Sequence, residues 1–266
     1  MNDDLHATNG GIMNRLMQAP TRPPRSIAVV SPHLDDAVYS AWNWLSGAAD
    51  VTVISVFAGV PPTGTPPAPY DDLTVSADPG ERMAQRRLED DAVCRSKGWR
   101  NIHLDFLDAP YRDGPIDVNL LDHALDDVLP RSVDLVLGPA AIGLHSDHIF
   151  ARDSLLRVMS SSGTQALRLY ADLPYAAYFG WASWVSGEGD DDYLDVDAFY
   201  GRALSSIDGW VIADRQVHAL GDDQQADKLA AMQTYASQFP AMEGGPTRGL
   251  SHPERLPFEA TWGVHR

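Results

Sequence analysis

Two short stretches concentrate the side chains able to do chemistry. "SPHLDDAVYS" (31–40) sets His33, Asp35 and Asp36 directly behind the β-branched run "SIAVVS", and "HSDH" (145–148) sets His145, Asp147 and His148 six residues beyond "VDLVLGP". Histidine and carboxylate are the donors zinc accepts in catalytic sites built from three protein ligands and one open position. His33 and Asp36, three residues apart, can converge on one ion, and His148 can complete the set. Asp35 then stands beside the ion as a free carboxylate, which is what a general base for hydrolysis requires. Each residue also has a plainer reading. Asp35 or Asp36 can be a first-turn acid favoured by the helix dipole, His33 a core histidine, and His145 with His148 a surface pair at a helix start. Spacing alone leaves the metal site and these readings level.

Such residues need rigid elements to position them, and the pattern supplies strands and helices in alternation. "SIAVVS" (26–31) and "VTVISVFAG" (51–59) read as strands around a helix over 35–49, a βαβ unit. A helix over 80–98 stopped by Gly98 follows, then a strand at "NIHLDFL", a helix at "DVNLLDHALDDVL" and a buried strand at 133–139. Further on come a helix over 146–161, a strand over 166–176 and an amphipathic helix over 222–239. This order predicts an α/β, Rossmann-like three-layer fold with a mostly parallel sheet and the active site at the C-terminal ends of the strands. Residues 1–25 are expected to form a flexible leader and 26–266 a single domain.

Composition narrows the function classes. In 266 residues, 44% of them hydrophobic, the formal charge is -17, which repels phosphate backbones and argues against nucleic acid. Cys94 is the one cysteine, so neither an intrachain disulfide nor an all-cysteine metal site can form. No signal-peptide core and no run of about 18 apolar residues is found, and the expectation is a soluble, cytoplasmic chain without membrane insertion. Self-association is left open.

The two clusters together carry a resemblance. "SPHLDDAVYS" resembles the P-H-x-D-D motif, and "GLHSDH" the H-x-D-H motif, of the LmbE-like (PIG-L) zinc-dependent N-acetylglucosaminyl de-N-acetylases. Weaker matches are "RRLEDDAVCRSKG", similar to an R-x-x-E helix ending in glycine, "FLDAPYRD", and "KLAAMQTYASQ", similar to a late K-x-x-A-x-x-x-Y-x-S-Q helix. The likeness spans roughly residues 26 to 240. It implies that His33, Asp36 and His148 hold Zn2+, with Fe2+, Co2+ or Ni2+ as substitutes. It further implies that Asp35 is the general base, that His145 stabilises the oxyanion and protonates the leaving amine, and that Asp147 orients His145 through a carboxylate hydrogen bond. Arg86 of the R-x-x-E match is expected to bind substrate.

Leu34 and Ser146 stand where many members carry proline, and neither is a functional side chain. The larger departures are the loops at 60–80 and 178–201, where Trp181, Trp184 and Tyr193 could stack on substrate or form an apolar plug. The combination with "VFAG" resembles the branch acting on glycosylated antibiotics, the glycopeptide pseudoaglycone deacetylases. The expected activity is a hydrolase removing acetyl from an N-acetylglucosamine moiety of a small glycoconjugate. The alternatives are an amidase of the same family cleaving a mycothiol-type conjugate, and a non-catalytic sugar-binding α/β module.

Overall fold

The computed structural model describes residues 23–68, 71, 78–162, 165–187, 195–243 and 249–266; the expected leader thus lies almost wholly outside the described residues. A seven-stranded sheet runs through the molecule in the order β3-β2-β1-β4-β5-β7-β6. Its strands are β1 (Ser26–Ser31), β2 (Asp50–Ser55), β3 (Arg100–His103), β4 (Leu135–Pro139), β5 (Ala166–Tyr170), β6 (Val211–Ala219) and β7 (Phe258–His265). The first five pair in parallel, and β7 pairs antiparallel to both β5 and β6. The mostly parallel α/β expectation is borne out, with an antiparallel edge added.

Strand order explains where a site must form. The chain moves outward from β1 to β2 to β3, then returns so that β4 pairs with the other side of β1. Between the carboxyl ends of β1 and β4 the connections leave in opposite directions, which opens a crevice. Both faces of these strands are covered. Ala28 and Val30 belong to the larger core cluster, while Ile27 and Val29 belong to a second cluster with Leu45, Val51 and Leu137 on the opposite face. This two-sided burial is why β1 and β4 read as continuous apolar runs.

The helices obey local rules. α1 (Asp36–Ser40) and α2 (Trp42–Gly47) replace the single helix expected over 35–49, because Ala41 between them leaves the helical region at φ -133. α3 (Pro79–Lys97) starts on an Asp78 side chain that accepts from Glu81 N and ends at Gly98 in the left-handed conformation, φ 72. α4 (Val118–Val128) is capped by Asp117 and buries Leu121 and Leu125; α5 (Ser146–Ser162) follows β4. The strands expected over 51–59, 101–107 and 166–176 are shorter than predicted, ending at Ser55, His103 and Tyr170. Beyond those points the chain turns into the loops that surround the crevice, and the helix expected over 222–239 stops at Thr234. The helix at Val196–Ser205 and strands β6 and β7 carry no expectation from the sequence. β6 is a sheet edge with no residue fully buried, so it lacks the apolar alternation that marks a half-buried strand.

The late K-x-x-A-x-x-x-Y-x-S-Q match turns out to stitch elements together. Tyr235 donates to Asp90 of α3 at 2.9 Å, and the Ser237 hydroxyl donates to Glu89 at 2.7 Å. Lys228 donates to Glu259 of β7 at 2.7 Å, both side chains being fully buried. Glu259 in turn accepts from Trp42 N and Asn43 N, the first orphan amides of α2. Among the described residues no helix is long and apolar enough to cross a membrane.

Removing one member of a buried ion pair strands the other charge, at about 3–5 kcal/mol. Lys228→Ala is therefore expected to lower the free energy of unfolding by about that amount in urea titration, and a loss under about 1 kcal/mol would contradict the role given to this pair.

Candidate metal centre and active-site cleft

The loop after β1 and the start of α1 carry His33, Asp35 and Asp36, while the start of α5, after β4, carries His145, Asp147 and His148. The fold brings all six to the crevice. His33 Nδ1 lies 3.2 Å from Asp36 Oδ2, and His148 Nε2 lies 3.4 Å from the same oxygen. The His33, His145 and His148 rings lie with centroids 5.2–5.4 Å apart, and each offers a nitrogen within 4.8 Å of the others. Asp35 holds the N-cap position of α1 yet makes no side-chain capping bond. Asp35, Asp36 and His148 are all buried.

These donors fit a divalent metal. Among the described residues, His148 Nε2 is buried with no hydrogen-bond partner while aimed at the Asp36 carboxylate, a costly state for a polar atom unless a cation takes it up. Its other nitrogen, Nδ1, is fixed by Asp172 Oδ1 at 2.6 Å, and Asp172 Oδ2 accepts from Ile142 N. A carboxylate behind a ligating imidazole fixes its tautomer and raises its basicity. Asp172 is missing from the sequence expectations. It sits two residues past β5, the strand beside β4, so the rule of polar groups at strand ends could have found it. A second group, His33, Asp108 and Asp147, also converges, but Asp147 there is already claimed by a guanidinium.

That guanidinium corrects one expectation. Asp147 was expected to orient His145 through its carboxylate. Instead the carboxylate accepts from Arg112 Nη2 at 2.6 Å and Ala109 N at 2.9 Å, and lies 3.4 Å from His33 Nε2. His145 Nδ1 meets the Asp147 backbone N–H at 3.3 Å. Placed at the first turn of α5, the Asp147 side chain reaches across to the 107–112 loop and not back along its own backbone. His145 is positioned by a taut turn: Ala141, Gly143 and Leu144 all have positive φ, and a Cβ on Gly143 would meet Tyr175 Cβ at 2.7 Å. Tyr175 stacks 5.8 Å from His145.

Electrostatics follow from burial and crowding. Burial and the adjacent Asp36 charge push the Asp35 carboxyl up to about 7. Burial also works against Asp36, but His148 and His33 outweigh it and bring that carboxyl down to about 2. Burial lowers His148, while Asp36 and Asp172 more than compensate and raise it. Burial, with the His33 and His148 charges, moves His145 down.

The cleft above these groups has a volume of about 260 Å³, with Asp35, Asp36, Arg86, Asp108, His145 and Tyr175 among its lining residues. Arg86, expected at the substrate, does line it, 3.5 Å from the buried Asp71. Trp181 and Trp184 do not. Trp181 is buried and donates to Arg255 O; Trp184 packs on Tyr200 and Trp262. Both serve the apolar plug, because their rings find aromatic and backbone partners beneath the loop; Tyr193 lies outside the described residues.

Comparison with known proteins bears on the fold and the kind of activity. No family model matches the chain. It is 27% identical over 228 residues to the 2'-N-acetylparomamine deacetylase of Streptomyces fradiae, covering 79% of this chain and 72% of that protein. The A40926 pseudoaglycone deacetylase Dbv21 is 29% identical, with 91% of this chain and 98% of that one covered and a TM-score of 0.68. A deacetylase of teicoplanin biosynthesis, in its bog complex, is 25% identical over the same shares, with a TM-score of 0.69. The likeness to LmbE-like deacetylases read from the two motifs is borne out, as is the α/β fold.

Loss of an outer carboxylate of this kind weakens metal affinity about 10- to 100-fold. Asp172→Ala is expected to do so in a competitive chelator titration, and unchanged affinity would remove Asp172 from the site.

Proposed function

We propose that the chain is a metal-dependent hydrolase that removes the acetyl group from an N-acetylglucosamine moiety of a small glycoconjugate. The observation that carries the reading is the meeting of His33, Asp36 and His148, from two strand ends, around a buried imidazole nitrogen that faces the Asp36 carboxylate and makes no hydrogen bond among the described residues. In this reading those three residues hold Zn2+ or a similar divalent ion. When bound, such an ion supplies Lewis acidity, polarising an amide carbonyl and making water nucleophilic near neutral pH.

The remaining steps belong to the chain's own groups. Asp35 accepts a proton from the attacking water, and its position near 7 suits both taking and releasing that proton. As the water oxygen bonds to the acyl carbon and the C–N bond breaks, the proton that Asp35 took from the water passes by way of the His145 imidazole to the departing amine nitrogen, and the remaining acid proton leaves to solvent, so that both side chains end as they began. The products are acetate and the free amino sugar. His145 is held ready for this by the Gly143 turn and the Tyr175 ring. Asp172 keeps His148 pointed at the ion, and Asp147 holds His33 and Arg112 in place. Arg86, fixed by Asp71, offers its guanidinium to sugar oxygens at the wall.

The relatives support an N-acetylated substrate: one is a 2'-N-acetylparomamine deacetylase, another an A40926 pseudoaglycone deacetylase. The same reading keeps the enzyme in the cytoplasm, where the buried thiol of Cys94 stays reduced.

Asp35→Asn removes the base while keeping shape and metal ligands. Acetate release from an N-acetylglucosaminide is expected to fall roughly a hundred- to ten-thousandfold with metal content unchanged. Wild-type turnover in this variant would show the mechanism to be wrong.

A further inference from the structure

The two imidazoles at the metal position are supported from behind in different ways. His148 Nδ1 is fixed by Asp172 at 2.6 Å. His33 turns its Nδ1 toward Asp36, at 3.2 Å, and leaves Nε2 on the other side of the ring. Two carboxylates meet that nitrogen at 3.4 Å, Asp147 Oδ2 and Asp108 Oδ1. Asp108 is partly exposed at the cleft and makes no side-chain bond to the 3-10 turn it precedes, Ala109–Tyr111. Asp147 is fully buried and fixed from two sides, so it is the one whose direction is set.

That direction comes from Arg112. Its Nη2 donates to Asp147 Oδ1 at 2.6 Å, while its Nη1 donates to Leu107 O at 2.7 Å. The guanidinium also lies over two rings, 5.3 Å from the Phe57 centroid and 5.9 Å from that of Phe150, within the range of cation–π attraction. Phe57 follows β2 and Phe150 belongs to α5, so a backbone carbonyl and two rings from three different segments hold the plane of the group. A planar fork held in this way passes its geometry on to the carboxylate it meets. With Oδ1 taken by Arg112, the Asp147 carboxylate accepts from Ala109 N at 2.9 Å and meets His33 through Oδ2. Leu107, Ala109 and Arg112 belong to one loop, whose Tyr111 hydroxyl donates to the buried Asp71 at 2.6–2.7 Å. Asp71 lies 3.5 Å from Arg86 at the cleft wall, and the loop thereby joins that wall to the metal position.

We propose that Arg112 is a positioning residue of the metal centre: by fixing Asp147 it fixes the imidazole of His33, as Asp172 does directly for His148. The proposal rests on the metal-dependent reading and adds to it a residue that lies outside both motifs.

The sign of the effect separates positioning from charge. Removing a cation near a dication strengthens metal binding by charge alone, whereas loosening an outer carboxylate behind a ligating imidazole weakens it about 10- to 100-fold. Competitive chelator titration with Zn2+ compares wild type, Arg112→Met, Asp147→Asn and the double variant. Arg112→Met is expected to bind about tenfold more weakly or worse, and the double variant no more weakly than Asp147→Asn alone, because Arg112 then has nothing to act through. Unchanged or tighter binding in Arg112→Met, unchanged binding in Asp147→Asn, or a further loss from Arg112→Met on the Asp147→Asn background would overturn the proposal. Arg112→Met strands the buried Asp147 charge; should that variant not fold, the comparison of Asp147→Asn with the double variant, which lacks the charge, decides alone. The visible absorption bands of Co2+-loaded protein give a second readout: Arg112→Met is expected to shift them as Asp147→Asn does, and wild-type bands in Arg112→Met overturn the proposal. A wild-type protein that binds no divalent metal overturns the metal-dependent reading itself, whereas tight wild-type binding that Arg112→Met leaves unchanged overturns the role of Arg112 alone.

Discussion

Four carboxylates, Asp35, Asp36, Asp147 and Asp172, are buried at adjoining strand ends, and the need to compensate them governs this molecule. Each ionised carboxylate taken from water costs several kcal/mol after relaxation unless partners restore what solvent supplied. Two of the four are settled by protein groups: Asp147 by Arg112 and Ala109 N, Asp172 by His148 and Ile142 N. Asp36 is shared between two imidazoles, and Asp35, left with distant help from His33 and Arg86, rises to about 7. In the proposed reading, a divalent cation held by His33, Asp36 and His148 would complete the compensation. It would draw Asp35 toward the ionised form and take up His148 Nε2.

The fold makes such crowding affordable only in one place. Where β4 crosses back beside β1, loops diverge and several elements deliver side chains without covering one another. Rigidity comes from below and behind. Both faces of β1 are sealed by separate apolar clusters, and the Glu89–Ser237, Asp90–Tyr235 and Lys228–Glu259 contacts clamp α3, the 222–238 segment and β7 around the site. Arg86 and Gln238, one turn from these contacts, both line the cleft. The clamp thus sets one wall of the cleft.

Much of this was legible in the chain. β1 and β4 are short apolar runs buried on both faces, and the polar clusters directly behind them had to emerge at strand ends, so six of the site residues could be named by number. What escaped has physical reasons. Arg112 acts through a side chain 35 positions away, which no spacing rule marks, and Asp172 was marked only by its place two residues past β5, since its partner lies 24 positions earlier. The direction of the Asp147 carboxylate depended on a loop 35 residues earlier. Trp181 and Trp184 showed their type but not their partners, since β7, which supplies Trp262 beneath Trp184, was itself unread. β6 has the exposure of an edge strand and so no alternating signature.

The central claim is that two imidazoles and a carboxylate from two strand ends hold one catalytic metal. X-ray absorption at the zinc edge, on protein loaded with one equivalent of Zn2+, tests it most directly. The account predicts two histidine nitrogens at about 2.0–2.1 Å with oxygen donors filling the remaining positions, and one histidine fewer in His148→Ala. A shell of oxygen donors alone, or a spectrum unchanged by His148→Ala, would contradict it.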